Sequence, residues 1–201
     1  SDLHIEAVAS SGTDHALYRL GADKAVRMPR LARVALQVEK EQRWLAELAP
    51  ALPLEVPVPI ARGEPGEGYA LPWSICPWLL GAARHGVPSA GGRPPGGHNF
   101  WRGVPLARRD AMTREAIAAA GGWPDARAVA AAWEAGLHGP AWPGPPVWIH
   151  GDLQPGNLLA REGRLAAVID WGGLGVGDPA YDLLPAWNLF TGDARRAYRE
   201  A

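Results

Sequence analysis

The residues that could do chemistry are concentrated near the C-terminal end. His150, Asp152 and Asn157 lie on one stretch, His150-Gly151-Asp152-Leu153-Gln154-Pro155-Gly156-Asn157, and Asp170 follows in Val168-Ile169-Asp170-Trp171-Gly172. A carboxylate on such a loop can take a proton from a hydroxyl, and an amide oxygen with a second carboxylate can share a hard cation. The sequence between Asn157 and Asp170 makes this sharing physical. Residues 158–160 pair with residues 165–169 across Arg161-Glu162-Gly163-Arg164, a hairpin. A turn centred on Glu162 and Gly163 places Asn157 opposite Val168, with Asp170 two residues past it. The amide and the carboxylate then meet at the open end of the hairpin. Magnesium takes a few protein oxygens and fills its shell with water and nucleotide phosphates, so this end suits a magnesium nucleotide.

The H-x-D-x4-N spacing is that of the protein-kinase catalytic loop, in which the Asp accepts the acceptor hydroxyl's proton and the Asn binds magnesium. An H-x-D pair alone says little, because histidines and aspartates flank many turns. The whole set (strand, loop, hairpin, apolar triplet, Asp170, then Gly177-Asp178-Pro179) points to phosphoryl transfer. Two other readings stay open. One is a nucleotide-binding remnant or fragment without activity. The other is a metal-dependent phosphohydrolase using His150, Asp152 and Asp170, which would want more histidines nearby than the six scattered through the chain.

Several elements must position these residues. Residues 16–20 and 25–28 read as strands of a hairpin closed by Gly21-Ala22-Asp23-Lys24, and Pro29 ends the second. A helix over 33–48 carries Val34, Val38, Leu45 and Leu48 at helical spacing, and Glu41 falls on the same apolar stripe. A carboxylate there needs a cation. Residues 53–59 alternate proline with apolar residues and read as extended. Residues 69–80 hold a strand that Pro72 and Pro77 confine to an edge or a connector. Residues 86–97, with five glycines and three prolines, are loop. Helices over 105–120 and 126–138 follow, the second capped by Asp125, then a strand over 147–149, a helix over 182–189 and a last one capped by Asp193.

The 201 residues include 47% apolar and 20% charged residues, ordinary globular usage. Twenty Lys+Arg against 21 Asp+Glu leave a net charge of −1, which argues against nucleic acid or a membrane surface as partner. A single cysteine, Cys76, excludes an internal disulfide and a cysteine-based metal site, and points to a reducing cytoplasm. The longest stretch without a charged residue or histidine, 68–83, is too short for a bilayer and contains two prolines. The chain opens on Ser1 with no basic or apolar leader behind it, reading as a trimmed start rather than a secretion signal.

On the loop from His150 to Asn157, the Ile169-Asp170-Trp171 triplet and Gly177-Asp178-Pro179-Ala180, the chain resembles the aminoglycoside phosphotransferase family, small-molecule kinases with a protein-kinase-like fold. The resemblance covers nearly the whole sequence. It implies an α+β, two-lobe fold: a small nucleotide-binding lobe over 1–80 ending in the hinge, and a helical catalytic lobe over 81–201. It implies transfer of the γ-phosphoryl group of ATP or GTP to a hydroxyl of a small molecule. An aminoglycoside antibiotic, an amino sugar, a choline-like alcohol or a sugar would all suit. Asp152 is then the catalytic base, Asn157 and Asp170 the Mg2+ ligands, His150 a buttress of the loop, and Asp178 a hydrogen-bonding tie or an ordinary Asp-Pro helix start. Residues 10–15 resemble the nucleotide-covering loop, with Gly12. Arg27 stands where the family has a phosphate-binding lysine, paired with Glu41; Lys24 is the competing cation, beside the turn. Residues 76–81 resemble the hinge, where Pro77 and Leu79 offer backbone groups to the purine. His98-Asn99-Phe100-Trp101-Arg102 also resembles a family segment, with no chemical role assigned. Relatives carry a long helix between the hinge and His98 and further helices at the end. The Gly/Pro-rich stretch 81–97 and the end at Ala201 therefore imply a partial or internally deleted member with an incomplete helical lobe and exposed apolar surface.

Overall fold

The computed structural model describes residues 3–9, 14–79, 99–120 and 125–200. Gly12, residues 80 and 81 of the expected hinge, the expected loop over 86–97 and His98 lie outside the described residues. The first hairpin forms as its turn residues demand. Gly21 takes φ 63°, the left-handed conformation that glycine adopts without steric cost, and β2 (His15–Leu20) pairs antiparallel with β3 (Lys24–Pro29). Two strands carry no clear signal in the sequence: β1 (Ile5–Val8), an exposed edge, and β4 (Ala61–Gly63), three residues long. With β5 (Trp73–Pro77) they complete an antiparallel sheet of order β1-β2-β3-β5-β4. The edge position expected for β5 is not what is found. It lies between β3 and β4, because Pro72 precedes the strand and Pro77 is its last residue, so neither removes an interior ladder bond.

Helix α1 (Ala32–Leu48) packs its apolar stripe inward, and Val34, Val38, Leu45 and Leu48 are all buried. Its C-terminal half builds the main cluster, in which Trp44, Leu45 and Leu48 meet Val56, Val168, Trp171 and Leu174. Burial of this kind contributes roughly 25 cal/mol per Å2 of apolar surface. The extended segment before β4 meets the later hairpin through one parallel bridge: Val168 N–H donates to the Glu55 carbonyl (3.1 Å) and Glu55 N–H to that of Ala166 (3.3 Å). Helix and segment together clamp the strand that leads into Asp170.

Helices α2 (Asp110–Ala119) and α3 (Ala126–Leu137) form a pair with no buried residue of their own, tied by Trp133 Nε1–H donating to Asp110 (2.7 Å) and by Arg114 between Asp110 and Glu134. Asp125 caps α3 by accepting from Ala128 N–H (3.2 Å). β6 (Val147–Ile149) pairs with β9 (Gly175–Gly177), and β7 (Leu158–Arg161) with β8 (Arg164–Val168). The helix expected over 182–189 is broken. A 3-10 turn over Pro179–Leu183 precedes the short α4 (Pro185–Asn188), because Pro185 has no N–H to continue a helix through it. α5 (Gly192–Glu200) follows. Among the described residues no helix is long and apolar enough to cross a membrane.

Candidate active site

The far hairpin turns where expected. Glu162 and Gly163 take φ 52° and 74°, the pair of left-handed residues of a type I′ turn. Its register differs from the sequence expectation by one. A bulge between Leu159 and Ala160 adds a residue to β8's side, so Leu158, not Asn157, faces Val168. Asn157 instead accepts at its carbonyl from Ile169 N–H (2.9 Å), and Asp170 is one residue past its partner. The bulge brings Asp170 nearer to Asn157 along the strand. Asp170 itself adopts φ 61°, a left-handed conformation that Asp tolerates, and its side chain is half exposed.

The loop before the hairpin is built around a neutral histidine. His150 Nδ1 accepts from Asp152 N–H (3.1 Å), which leaves the proton on Nε2 to donate to the Ile169 carbonyl (3.0 Å). Its ring meets Trp171 edge-on with centroids 4.5 Å apart. Burial lowers its pKa to about 4, against the bond to Ile169 that favours the charged form. His150 thus ties the start of the loop to the residue before Asp170. The carboxylate that holds the loop backbone is not Asp178, whose side chain caps the next turn by accepting from Ala180 N–H (2.9 Å). It is Asp182, which accepts from His150 N–H (2.6 Å) and Gly151 N–H (2.8 Å). Burial pushes Asp182 up to about 6 despite those two bonds.

The Asp152 side chain is 29% exposed. Asn157 Nδ2 donates to the Asp152 carbonyl (2.9 Å) and lies 3.4 Å from Oδ2, while Arg102 Nη2 donates to Oδ1 (3.2 Å). Burial raises the Asp152 pKa; Arg102 opposes the rise and Asp170 adds to it. The Asn157 amide commits its donor end to the loop, so its oxygen is the end a cation can use. Among the described residues no group of three or more His, Cys, Asp or Glu side chains forms a metal cage. Magnesium held by one carboxylate, one amide and phosphate oxygens asks for none, so Asn157 and Asp170 fit that ion.

From the sheet, Arg27 reaches the same place. Its guanidinium is buried against Glu41, Nη1 bonded to Oε2 and Nη2 3.4 Å from Oε1, and Nη2 is also 4.0 Å from Asp170. Burial pulls the Arg27 pKa down, but Glu41, with Cys76 and Asp170 nearby, outweighs it and holds the group above its ordinary value. Lys24 is outside this arrangement, paired with Asp23 (2.7 Å) beside the turn. His15 is coupled electrostatically to Arg27 and Asp170; burial, then Arg27, lowers its pKa to about 3. At the end of β5, Trp78 N–H donates to the Asp23 carbonyl (2.8 Å).

Three residues of the site escape sequence reasoning. Lys40 is buried on α1 and its Nζ donates to the carbonyls of Gly172 (2.6 Å) and Leu174 (3.1 Å), fixing the turn after Asp170. A lysine one place before Glu41 on the helix was the available signal. Asp182 and Arg102 stand in no spacing relation to the loop they hold.

A family model described as the phosphotransferase enzyme family matches residues 5–95 and 82–201, two segments that together span nearly the whole chain. The chain belongs to the phosphotransferase enzyme family. No curated protein matches this phosphotransferase, but solved structures do. It is similar to the GDP and kanamycin complex of APH(2")-IIia at 18% identity and TM-score 0.70, covering 98% of this chain and 77% of that one. It is similar to the apoenzyme of macrolide 2'-phosphotransferase MphH from Brachybacterium faecium at 24% identity and TM-score 0.62, covering 98% and 76%. It is also similar to the streptomycin-ATP-APH(2")-IIa ternary complex at 16% identity and TM-score 0.59, covering 100% and 75%. The phosphotransferase therefore has the kinase-like fold of these proteins, an antiparallel sheet with helices, and spans about three quarters of their length.

Proposed function

We propose that this phosphotransferase moves the γ-phosphoryl group of ATP or GTP to a hydroxyl of a small molecule, with residues 1–80 covering the nucleotide and residues 81–201 carrying the chemistry. One observation carries the reading. Asp152 and Asn157 on one loop, Asp170 after the hairpin and Arg27 on β3 arrive from three places in the chain and come together, linked by the 2.9 Å bond of Asn157 to Asp152 and the 4.0 Å approach of Arg27 to Asp170. Phosphoryl transfer is almost entirely positioning and charge neutralisation, and these residues supply both.

Arg27 presents its planar fork to Glu41 on one side and is available to nucleotide phosphates on the other; an arginine in place of a lysine can serve both. Pro77 and Leu79 offer backbone groups to the purine edge, and Gly12 belongs to the loop over the phosphates. Asn157 and Asp170 would hold Mg2+, which supplies neutralisation of the charge that builds on the phosphate oxygens. Asp152 orients the acceptor hydroxyl and takes its proton as the oxygen bonds to the γ-phosphorus and the bond to the bridging oxygen breaks. The proton ends on Asp152 and the nucleoside diphosphate leaves. Kanamycin, streptomycin and macrolides, named with the structural neighbours, are the first acceptors to try. The buried, unpaired Cys76 fits work in a reducing cytoplasm.

The test is calorimetry with ATP and with GTP, in magnesium and in EDTA, followed by phosphoryl transfer to those acceptors. Binding that requires magnesium is expected. Equal affinity in EDTA would remove the metal assignment, and no binding of either nucleotide would remove the reading.

A further inference from the structure

We propose that Arg102 is the positioning residue for the carboxylate of Asp152, an inference that rests on the phosphotransfer reading above. The carboxylate has two oxygens and each has its own holder. Oδ1 accepts from Arg102 Nη2 at 3.2 Å; Oδ2 lies 3.4 Å from both Asn157 Nδ2 and Gln154 Nε2. A bond on each oxygen fixes the plane of the group and leaves its other lone pairs for a hydroxyl. Arg102 supplies the shortest of these bonds and the only charged one, which is the stronger kind.

The chain goes to some length to put a guanidinium there. Phe100, Trp101 and Gly103 take φ 57°, 59° and 76°, and the first two are not glycines. Left-handed backbone brings the Cβ of an ordinary residue against the following carbonyl, so the turn is held by what surrounds it. Asn99, completely buried, closes it with Nδ2 donating to the Arg102 carbonyl (3.1 Å) and its own carbonyl accepting from Arg102 N–H (3.2 Å). Gly103 seats it: its carbonyl accepts from Asp178 N–H (3.1 Å), and a Cβ there would lie 2.7 Å from Ile149 Cδ1 and 3.2 Å from Gly177 Cα.

The catalytic loop makes room in turn. Gly151 has φ 79°, and a Cβ on it would meet Arg102 Cδ at 3.2 Å, so the arginine stem lies directly over the residue before Asp152. In the protein-kinase loop this middle position is itself an arginine; here it is glycine, and the guanidinium comes from a different segment. The Arg102 guanidinium also sits 5.0 Å from the Phe100 ring, which Arg33 of α1 approaches from elsewhere at 5.8 Å. That leaves Arg102 only 20% exposed and restricted in where it can point. Residues 99–102, without a role from the sequence, thus acquire one.

The test uses Arg102→Ala and Arg102→Lys in the full chain, checked first for folding by thermal unfolding. Calorimetry with magnesium and ATP or GTP should give affinities within about twofold of the parent. Phosphoryl release to water, and to whichever of kanamycin, streptomycin or a macrolide the parent uses, should fall by about 10- to 100-fold in Arg102→Ala, the scale of a misplaced catalytic group. Arg102→Lys should recover part of the loss, and free guanidinium ion should restore part of the Arg102→Ala rate. A crystal structure of Arg102→Ala should show the Asp152 carboxylate turned from its present position. A rate within twofold of the parent, or an unmoved carboxylate, would overturn the proposal. A parent that binds no nucleotide would instead overturn the phosphotransfer reading, and the crystal structure would still decide whether Arg102 orients Asp152.

Discussion

The buried pair of Glu41 and Arg27 couples stability to the nucleotide site. Glu41 is 1% exposed and shares a buried bidentate pair with Arg27, itself 8% exposed. Glu41→Leu removes the carboxylate and leaves the guanidinium with only Asp170, 4.0 Å away and half exposed. Breaking a buried pair from one side costs about 3–5 kcal/mol, because the remaining charge has no compensation. For a chain of this size each kcal/mol moves Tm by about 2–4 °C, so a fall of roughly 6–20 °C is expected. Arg27→Met should cost a similar amount, since it strands the carboxylate. Replacing both, Arg27→Met with Glu41→Leu, removes both charges and should restore most of the stability. The two single losses must therefore fail to add. Nucleotide affinity should follow a different pattern: Arg27→Met and the double variant should both lose it, the double no worse than the single. Urea denaturation and calorimetry on the three variants measure the cycle. Single costs below about 1 kcal/mol that add within 0.5 kcal/mol would refute the buried pair, and full nucleotide affinity in Arg27→Met would refute its role at the phosphates.

Other perturbations have equally definite outcomes. His15 and His150 are held neutral at about 3 and about 4 against 6.5 in the unfolded chain, so falling pH protonates the unfolded state first; Asp182, pushed up to about 6, opposes with one proton bound to the folded state. The unfolded chain then carries about one proton more between about pH 4.5 and 5.5, and stability should fall by about 1.4 kcal/mol per pH unit on acidification, read by urea denaturation. Gly151→Ala adds a Cβ 2.4 Å from the Gly173 carbonyl at φ 79° and should cost more than about 2 kcal/mol by thermal unfolding, with loss of phosphoryl transfer. Lys40→Met removes the donor from the Gly172 and Leu174 carbonyls and should cost about 1–3 kcal/mol in denaturation. It should also weaken magnesium-nucleotide affinity by calorimetry, because those bonds hold the turn that starts at Asp170.

Periodicity and spacing make part of this molecule legible before any coordinates. The apolar stripe of α1 and the carboxylate stranded on it predict a buried cation, and the paired cation is Arg27. The loop and hairpin place Asn157 and Asp170 together because a two-residue turn leaves little freedom in register. The bulge that shifts this register by one has no signature in the residues that form it. The prolines of β5 mislead for a plain reason: what matters is whether a proline sits inside the ladder, and these flank it. Asp182 and Arg102 are invisible for a different reason. Each acts across a gap in sequence, 31 and 50 residues from its partner, through contacts that only the folded chain brings about.

Phosphoryl transfer by this chain turns on the carboxylate of Asp152. Asp152→Asn keeps the size of the side chain and an acceptor for Arg102, but removes the basic oxygen. The measurement is phosphoryl transfer and magnesium-nucleotide affinity on Asp152→Asn beside Asp170→Asn. Turnover in Asp152→Asn should fall by about 10²–10⁴-fold with nucleotide affinity nearly unchanged, whereas Asp170→Asn should lose metal-dependent affinity and turnover together. An Asp152→Asn variant that kept most of its phosphoryl transfer rate would contradict the mechanism.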